Sequence, residues 1–134
     1  MTAVFADTAY YFALLSREDE FHAAAVRLTS KLARPIVTSG WVLTELADGL
    51  CRVQHRVVAA AFIHDLRNDP RVTVVAPSLE WLDRGLALYG RRSDKNWSLT
   101  DCLSFEIMRE LGLDEALTAD RHFDQAGFKA LLLA

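Results

Sequence analysis

Ala3-Val4-Phe5-Ala6-Asp7-Thr8 decides the fold: a short apolar run meets an acid almost at the start of the chain. A run this brief, too short for a buried helix, reads as a strand covered on both faces. Asp7 then stands at the carboxyl end of that strand. Thr8–Leu15 and Glu20–Ala33 follow as helices, the second carrying Phe21, Ala24, Ala25, Leu28 and Leu32 at helical spacing. Pro35-Ile36-Val37-Thr38 repeats the short apolar pattern as a second strand. Trp41–Val53 is expected to be a helix with Val42, Leu43, Leu46, Leu50 and Val53 inward. Arg56–Leu66 continues as another helix and stops near Asn68-Asp69-Pro70.

The second half repeats the alternation. Val72-Thr73-Val74-Val75 is a β-branched run suited to a buried strand. Ser78 is placed to cap a helix with Leu79, Leu82, Leu86 and Tyr89 inward, and Arg91–Asn96 forms a polar loop. Ser98 starts a helix that runs to about Leu111, where Gly112 stops it. Ala116-Leu117-Thr118 and Phe128–Leu132 supply the last two strands. Short apolar strands alternating with amphipathic helices imply an α/β fold. The expected architecture is a three-layer α/β/α domain, residues 1–134, around a short, mostly parallel sheet of four to five strands.

Composition excludes several classes. The chain is 51% hydrophobic and 25% charged, ordinary for a globular protein that folds without disulfides or structural metal. Cys51 and Cys102 are the only cysteines, which leaves no disulfide framework or paired-cysteine zinc site. Both fall in apolar helical patterns and are expected to be reduced core thiols, consistent with a cytoplasmic protein. No secretory leader or membrane span is expected. A net charge of −3 argues against binding nucleic acid by bulk attraction. A nuclease is still allowed, because clustered carboxylates add negative charge until a cation turns the centre positive.

Each acid alone has an ordinary explanation. Asp7 suits a helix N-cap. Ser98-Leu99-Thr100-Asp101 matches a capping box, and Asp120 could cap a short turn through Phe123. Glu45, between Leu43 and Leu46, could be an exposed helix glutamate. Together they say more. Ligands of parallel α/β sheets bind at the carboxyl ends of the strands. Asp7 and Asp120 directly follow strands, while Glu45 and Asp101 sit early in helices that open toward the same edge. Four converging carboxylates repel one another until a hard divalent cation, Mg²⁺ or Mn²⁺, joins them. Metal-assisted hydrolysis follows.

Val4-Phe5-Ala6-Asp7-Thr8, Thr44-Glu45-Leu46, Leu99-Thr100-Asp101-Cys102 and Leu117-Thr118-Ala119-Asp120-Arg121-His122-Phe123 together resemble the PIN-domain family, in its order and across nearly the whole chain. The resemblance implies a Mg²⁺- or Mn²⁺-dependent endoribonuclease similar to VapC-type toxins. It implies that Asp7, Glu45, Asp101 and Asp120 hold the metal, and that Thr100 orients Asp101 or a metal-bound water. Thr8 is a weaker helper. Asp124 is a possible addition or replacement for Asp120. An RNA substrate, a homodimer and a small antitoxin are further implications.

Other phosphate chemistries fit less well. A dehalogenase-type phosphatase wants a second acid where Ala9 stands, and a receiver-type acceptor wants an acidic pair beside the first strand. A non-catalytic RNA- or protein-binding PIN module is the remaining alternative, which the intact acid set disfavours. Arg91, Arg92 and Lys95 form either a solvated loop or contacts to RNA phosphates. Trp97 reads as a packed aromatic, with base stacking the alternative, and His122 as a solvated or locally hydrogen-bonded histidine, with substrate contact the alternative, since His22, His55, His64 and His122 show no metal-ligand spacing.

Overall fold

The computed structural model describes residues 1–134. In chain order it consists of β1 (Val4–Ala6), α1 (Thr8–Leu15), α2 (His22–Lys31), β2 (Ile36–Ser39), α3 (Gly40–Gly49), α4 (Val53–Asn68) and β3 (Val72–Val75). The second half adds α5 (Leu79–Arg91), α6 (Leu99–Leu111), β4 (Glu115–Leu117), α7 (Arg121–Gln125), β5 (Lys129–Ala130) and a short 3₁₀ turn over Leu131–Leu133. No helix is long and apolar enough to cross a membrane.

The five strands lie in the order β3-β2-β1-β4-β5, and every neighbouring pair is parallel. The chain therefore starts in the middle, moves outward through β2 to β3, then jumps back across the sheet to β4 and on to β5. Right-handed crossovers are near-obligatory between parallel strands. They place α1–α4 on one face and α5–α7 on the other, giving the expected three layers. Packing agrees, with α1 against α2 and α3, α3 against α4, and α5 against α6.

The central strands are wholly buried, which explains their uninterrupted apolar sequence: Val4, Phe5, Ala6, Ala116 and Leu117 are fully inaccessible. Phe105 of α6 anchors one face, its ring centroid 4.9 Å from Phe123, 5.0 Å from Trp97 and 5.7 Å from Phe128. Gly85 brings α5 close to α6, since a Cβ there would lie 2.5 Å from Leu103 Cδ2. Arg34 closes the amino-terminal edge of the sheet by donating to Glu115 Oε1 at 2.7 Å and to the carbonyls of Thr2 and Ala3.

Several local expectations need correction. The helix expected over Trp41–Val53 ends at Gly49, and the next begins at Val53. Phe12 packs directly over Gly49, where any Cβ would lie 2.3 Å from its ring, and the chain turns there. Cys51 falls in the turn and is exposed rather than a core thiol; Val53 is 87% exposed. Cys102 is buried as expected. In α5 the inward positions are Gly85 and Leu88, whereas Leu79, Leu86 and Tyr89 are exposed. The last strand is only Lys129–Ala130, because the chain then curls, with Leu132 N–H donating to Thr118 O.

Candidate active site

The switch in strand order falls between β1 and β4, which hold neighbouring places in the sheet yet lie far apart in sequence. Loops leaving two such strands at their carboxyl ends diverge to opposite faces and open a crevice. Asp7 leaves β1 and Thr118-Ala119-Asp120 leaves β4. Asp7 N–H donates to Leu117 O at 3.1 Å, which locks the two exits together. A cavity of about 330 Å³ opens there, lined by Asp7, Thr8, Glu45, Ser98, Asp101, Asp120 and His122, with Ala9, Phe12 and Asn96 completing the wall.

Asp7 occupies the N-cap position of α1 with extended backbone, yet its side chain makes no capping hydrogen bond. Its Oδ2 instead accepts from Thr118 Oγ1 at 2.8 Å. The carboxyl is almost completely buried, and burial pushes its pKa from 3.8 up to about 7. Asp101 and Asp120 add to the rise, while the Thr118 hydroxyl and the backbone at Thr8 oppose it. Thr118 also accepts from Asp120 N–H at 3.0 Å, so one hydroxyl fixes both acids. The sequence assigns Thr118 no role; only the pairing of β1 with β4 reveals one.

Asp101 combines the two readings the sequence left open. Its N–H donates to Ser98 Oγ and its Oδ2 accepts from Ser98 N–H, both at 3.0 Å, completing the capping box of α6. The same Oδ2 lies 2.9 Å from His122 Nδ1. Burial raises the Asp101 pKa, against the lowering effects of His122 and the Ser98 backbone. Asp120 caps α7, its Oδ1 accepting from His122 N–H at 2.8 Å and lying 3.4 Å from His122 Nδ1. The imidazole therefore bridges Asp101 and Asp120. The sequence sets His122 aside as a local histidine. Its contact with Asp101 joins α6 to α7, a tertiary fact without a local signal.

Glu45 projects from α3 into the same cavity, exposed and without an ion-pair partner. Thr100 lies outside the lining and makes no side-chain hydrogen bond; Ser98 and His122 contact Asp101 instead. Asp124 is also outside, its Oδ1 accepting from Ala130 N–H at 3.4 Å and tying α7 to β5. The cavity thus takes Asp120 and not Asp124.

Ligand atoms of Asp101, Asp120 and His122 lie within 4.8 Å of one another, close enough to share one ion. Two further carboxylates, Asp7 and Glu45, line the same space. The Thr8 hydroxyl beside them is buried with no partner, an orphaned oxygen of the kind a hydrated ion satisfies. Hard oxygens, a buried carboxyl whose ionised form lacks a countercharge and an unpartnered hydroxyl together fit a divalent cation.

The sequence pattern of the PIN domain family matches residues 4–129. The 23S rRNA-specific endonuclease VapC20 of Mycobacterium tuberculosis is 32% identical over 126 residues, spanning 93% of this chain and 95% of VapC20. The crystal structure of that protein, described as a sarcin–ricin-loop-cleaving toxin, superposes with a TM-score of 0.86 at 28% identity, covering 93% of this chain and 95% of VapC20. FitAcB from Neisseria gonorrhoeae shares the fold, with a TM-score of 0.63 at 16% identity over 95% of this chain and 94% of its own. The chain belongs to the PIN-domain family.

Proposed function

We propose that this protein is a metal-dependent endoribonuclease that hydrolyses RNA phosphodiester bonds and acts as the toxin of a toxin–antitoxin pair. One observation carries the reading: Asp7, Glu45, Asp101 and Asp120 line one cavity at the sheet's switch point. In this reading those four hold Mg²⁺ or Mn²⁺. A cation bound there supplies Lewis acidity toward the phosphate and lowers the pKa of an attacking water.

The protein's own groups do the positioning. Thr118 holds Asp7 and the loop to Asp120, while Ser98 and His122 hold Asp101. Nδ1 of His122 donates to the Asp101 carboxylate and Nε2 makes no hydrogen bond within the protein, which leaves Nε2 to accept a hydrogen bond from water or a ribose hydroxyl. Similarity to a 23S rRNA-specific toxin supports structured ribosomal RNA as the substrate. In the same reading the protein is a cytoplasmic homodimer held in check by a small antitoxin.

Labelled total RNA incubated with the protein under EDTA, Mg²⁺ or Mn²⁺ tests the reading. Discrete cleavage with metal and none in EDTA is the expected result. Intact RNA under both metals, or equal cleavage in EDTA, overturns it.

The Thr118 hydroxyl gives a finer expectation. Groups that orient metal ligands are worth about 10–100-fold in affinity or activity. Thr118→Val is therefore expected to lower kcat/KM and weaken metal binding in that range, and Thr118→Ser, which keeps the donor, to restore most of both. Equal activity in the valine and serine proteins would remove Thr118 from the site.

A further inference from the structure

The catalytic cavity has different neighbours on its two sides. Toward α2 it shares Ala9, Phe12 and Asp120 with a second cavity whose wall carries Asp19 and Glu20. Toward the α5–α6 loop it shares Asn96 with a cavity of about 470 Å³ lined by Tyr89, Gly90, Arg92, Ser93, Lys95 and Trp97. One exit is acidic and the other basic. A polyanion crossing the catalytic cavity is repelled by the first and drawn into the second.

The basic cavity has one rigid wall. Trp97 forms its wall, buried, with Nε1 donating to Gln125 Oε1 at 3.0 Å and its ring edge-on to Phe105. Arg92 lies 4.9 Å from the Trp97 ring centre and grips Asp94 through two hydrogen bonds of 3.0 and 3.2 Å. Its charge is therefore answered internally and its role is to stiffen the loop. Lys95, on the same wall, has no carboxylate within ion-pair distance, and Asp94, which feels its charge, is already held by Arg92. Tyr89 is 50% exposed on the same rim. Beside it Gly90 has nothing within 4 Å of where a Cβ would stand, so this stretch of the rim carries no side chain to fill the cavity.

We propose that this cavity is a nucleotide subsite for the RNA flanking the cleaved bond, with Lys95 contacting a phosphate and Tyr89 stacking a base. Asn96, common to both cavities, sits where the strand passes from the subsite to the carboxylates. A phosphate contact and an aromatic platform are the two elements by which single-stranded RNA is held. The proposal rests on the ribonuclease reading and adds the side of the cavity on which the flanking RNA lies.

KM and kcat on a labelled RNA oligonucleotide that the wild type cleaves, measured across a KCl series, test it. The proteins compared are the wild type, Lys95→Gln, Tyr89→Leu and Arg27→Gln, the last altering an exposed cation on α2; matching circular dichroism spectra establish that each is folded. Lys95→Gln is expected to raise KM more than it changes kcat and to flatten the log–log salt dependence by about 0.7, the value of one single-strand phosphate contact. Tyr89→Leu is expected to raise KM about tenfold with the salt slope unchanged, as loss of one stacked base does. Arg27→Gln should follow the wild type. A wild-type slope in Lys95→Gln, an unaltered KM in Tyr89→Leu, or a slope lowered equally by Arg27→Gln overturns the subsite while leaving the nuclease intact. A wild type that cleaves no RNA with any metal removes the nuclease reading, and the subsite with it.

Discussion

Asp101→Asn is expected to leave the fold intact and to reduce RNA cleavage by about a thousandfold or more. The fold survives because asparagine keeps an acceptor where Asp101 takes the Ser98 N–H, and the backbone half of the capping box does not involve the side chain's charge. Activity does not survive, because the change removes a full negative charge from the middle of the cluster. Asp101 is the acid that faces both Asp120 through His122 and Asp7 through space. A bound metal stabilises transition-state charge by several kcal/mol, and about 4 kcal/mol corresponds to a factor of roughly 10³ in rate. Single-turnover cleavage at saturating Mg²⁺, beside a thermal melt of the same preparation, checks both halves. A variant that melts like the wild type and cuts within tenfold of its rate would take Asp101 out of the metal's coordination.

How far the sequence reaches depends on whether a feature is local. Asp7 and Asp120 are legible because each ends a short apolar run, and the end of a parallel strand is a defined place. Ser98 and Gly112 mark α6 correctly for the same reason: a capping box and a left-handed glycine at φ 67° act within one turn. The break at Leu50–Arg52 is read a few residues too late, because Leu50 and Val53 continue the apolar spacing of α3 although Val53 is exposed and opens α4. Phe12, far away in sequence, produces the break by packing on Gly49.

The face of α5 is misread for a related reason. Hydropathy turns Leu79, Leu86 and Tyr89 inward, but the close approach to Leu103 requires the residue with no side chain, so Gly85 faces α6. That rotation carries Tyr89 to the surface, beside the basic loop. Within the site, the four acids could be listed from sequence while their relations could not. Thr118 reaching Asp7, and His122 joining Asp101 to Asp120, both depend on β4 lying beside β1. Asp124 illustrates the converse. It stands only one turn from Asp120, yet α7 points it at β5 and away from the cavity.

In the absence of divalent cations the protein is expected to lose stability as pH rises from about 4 to about 7, and Asp7→Asn to abolish most of that loss. The sign follows from burial. The Asp7 carboxyl titrates near 7 in the fold against an ordinary 3.8, so between those values the folded state binds the proton and the unfolded state does not. Stability then falls with rising pH. The contribution is fully present below the unfolded value and gone above the folded one. A shift of this size has a ceiling of about 4 kcal/mol. Asparagine carries no charge to bury, so at pH 8 in EDTA the variant should melt several degrees above the wild type, with the two curves converging toward pH 4. Mg²⁺ acts in the opposite sense on the wild type, because an ion that binds only the folded state adds about 2.7 kcal/mol at a hundred times its dissociation constant. Adding it at pH 8 should therefore close much of the gap while moving Asp7→Asn far less. Thermal unfolding of both proteins from pH 4 to 8, with EDTA and with Mg²⁺, reads all of this directly. Parallel curves across the whole range would mean that Asp7 is ionised at little cost in the folded protein. A gap that Mg²⁺ leaves untouched would mean that the metal binds without it.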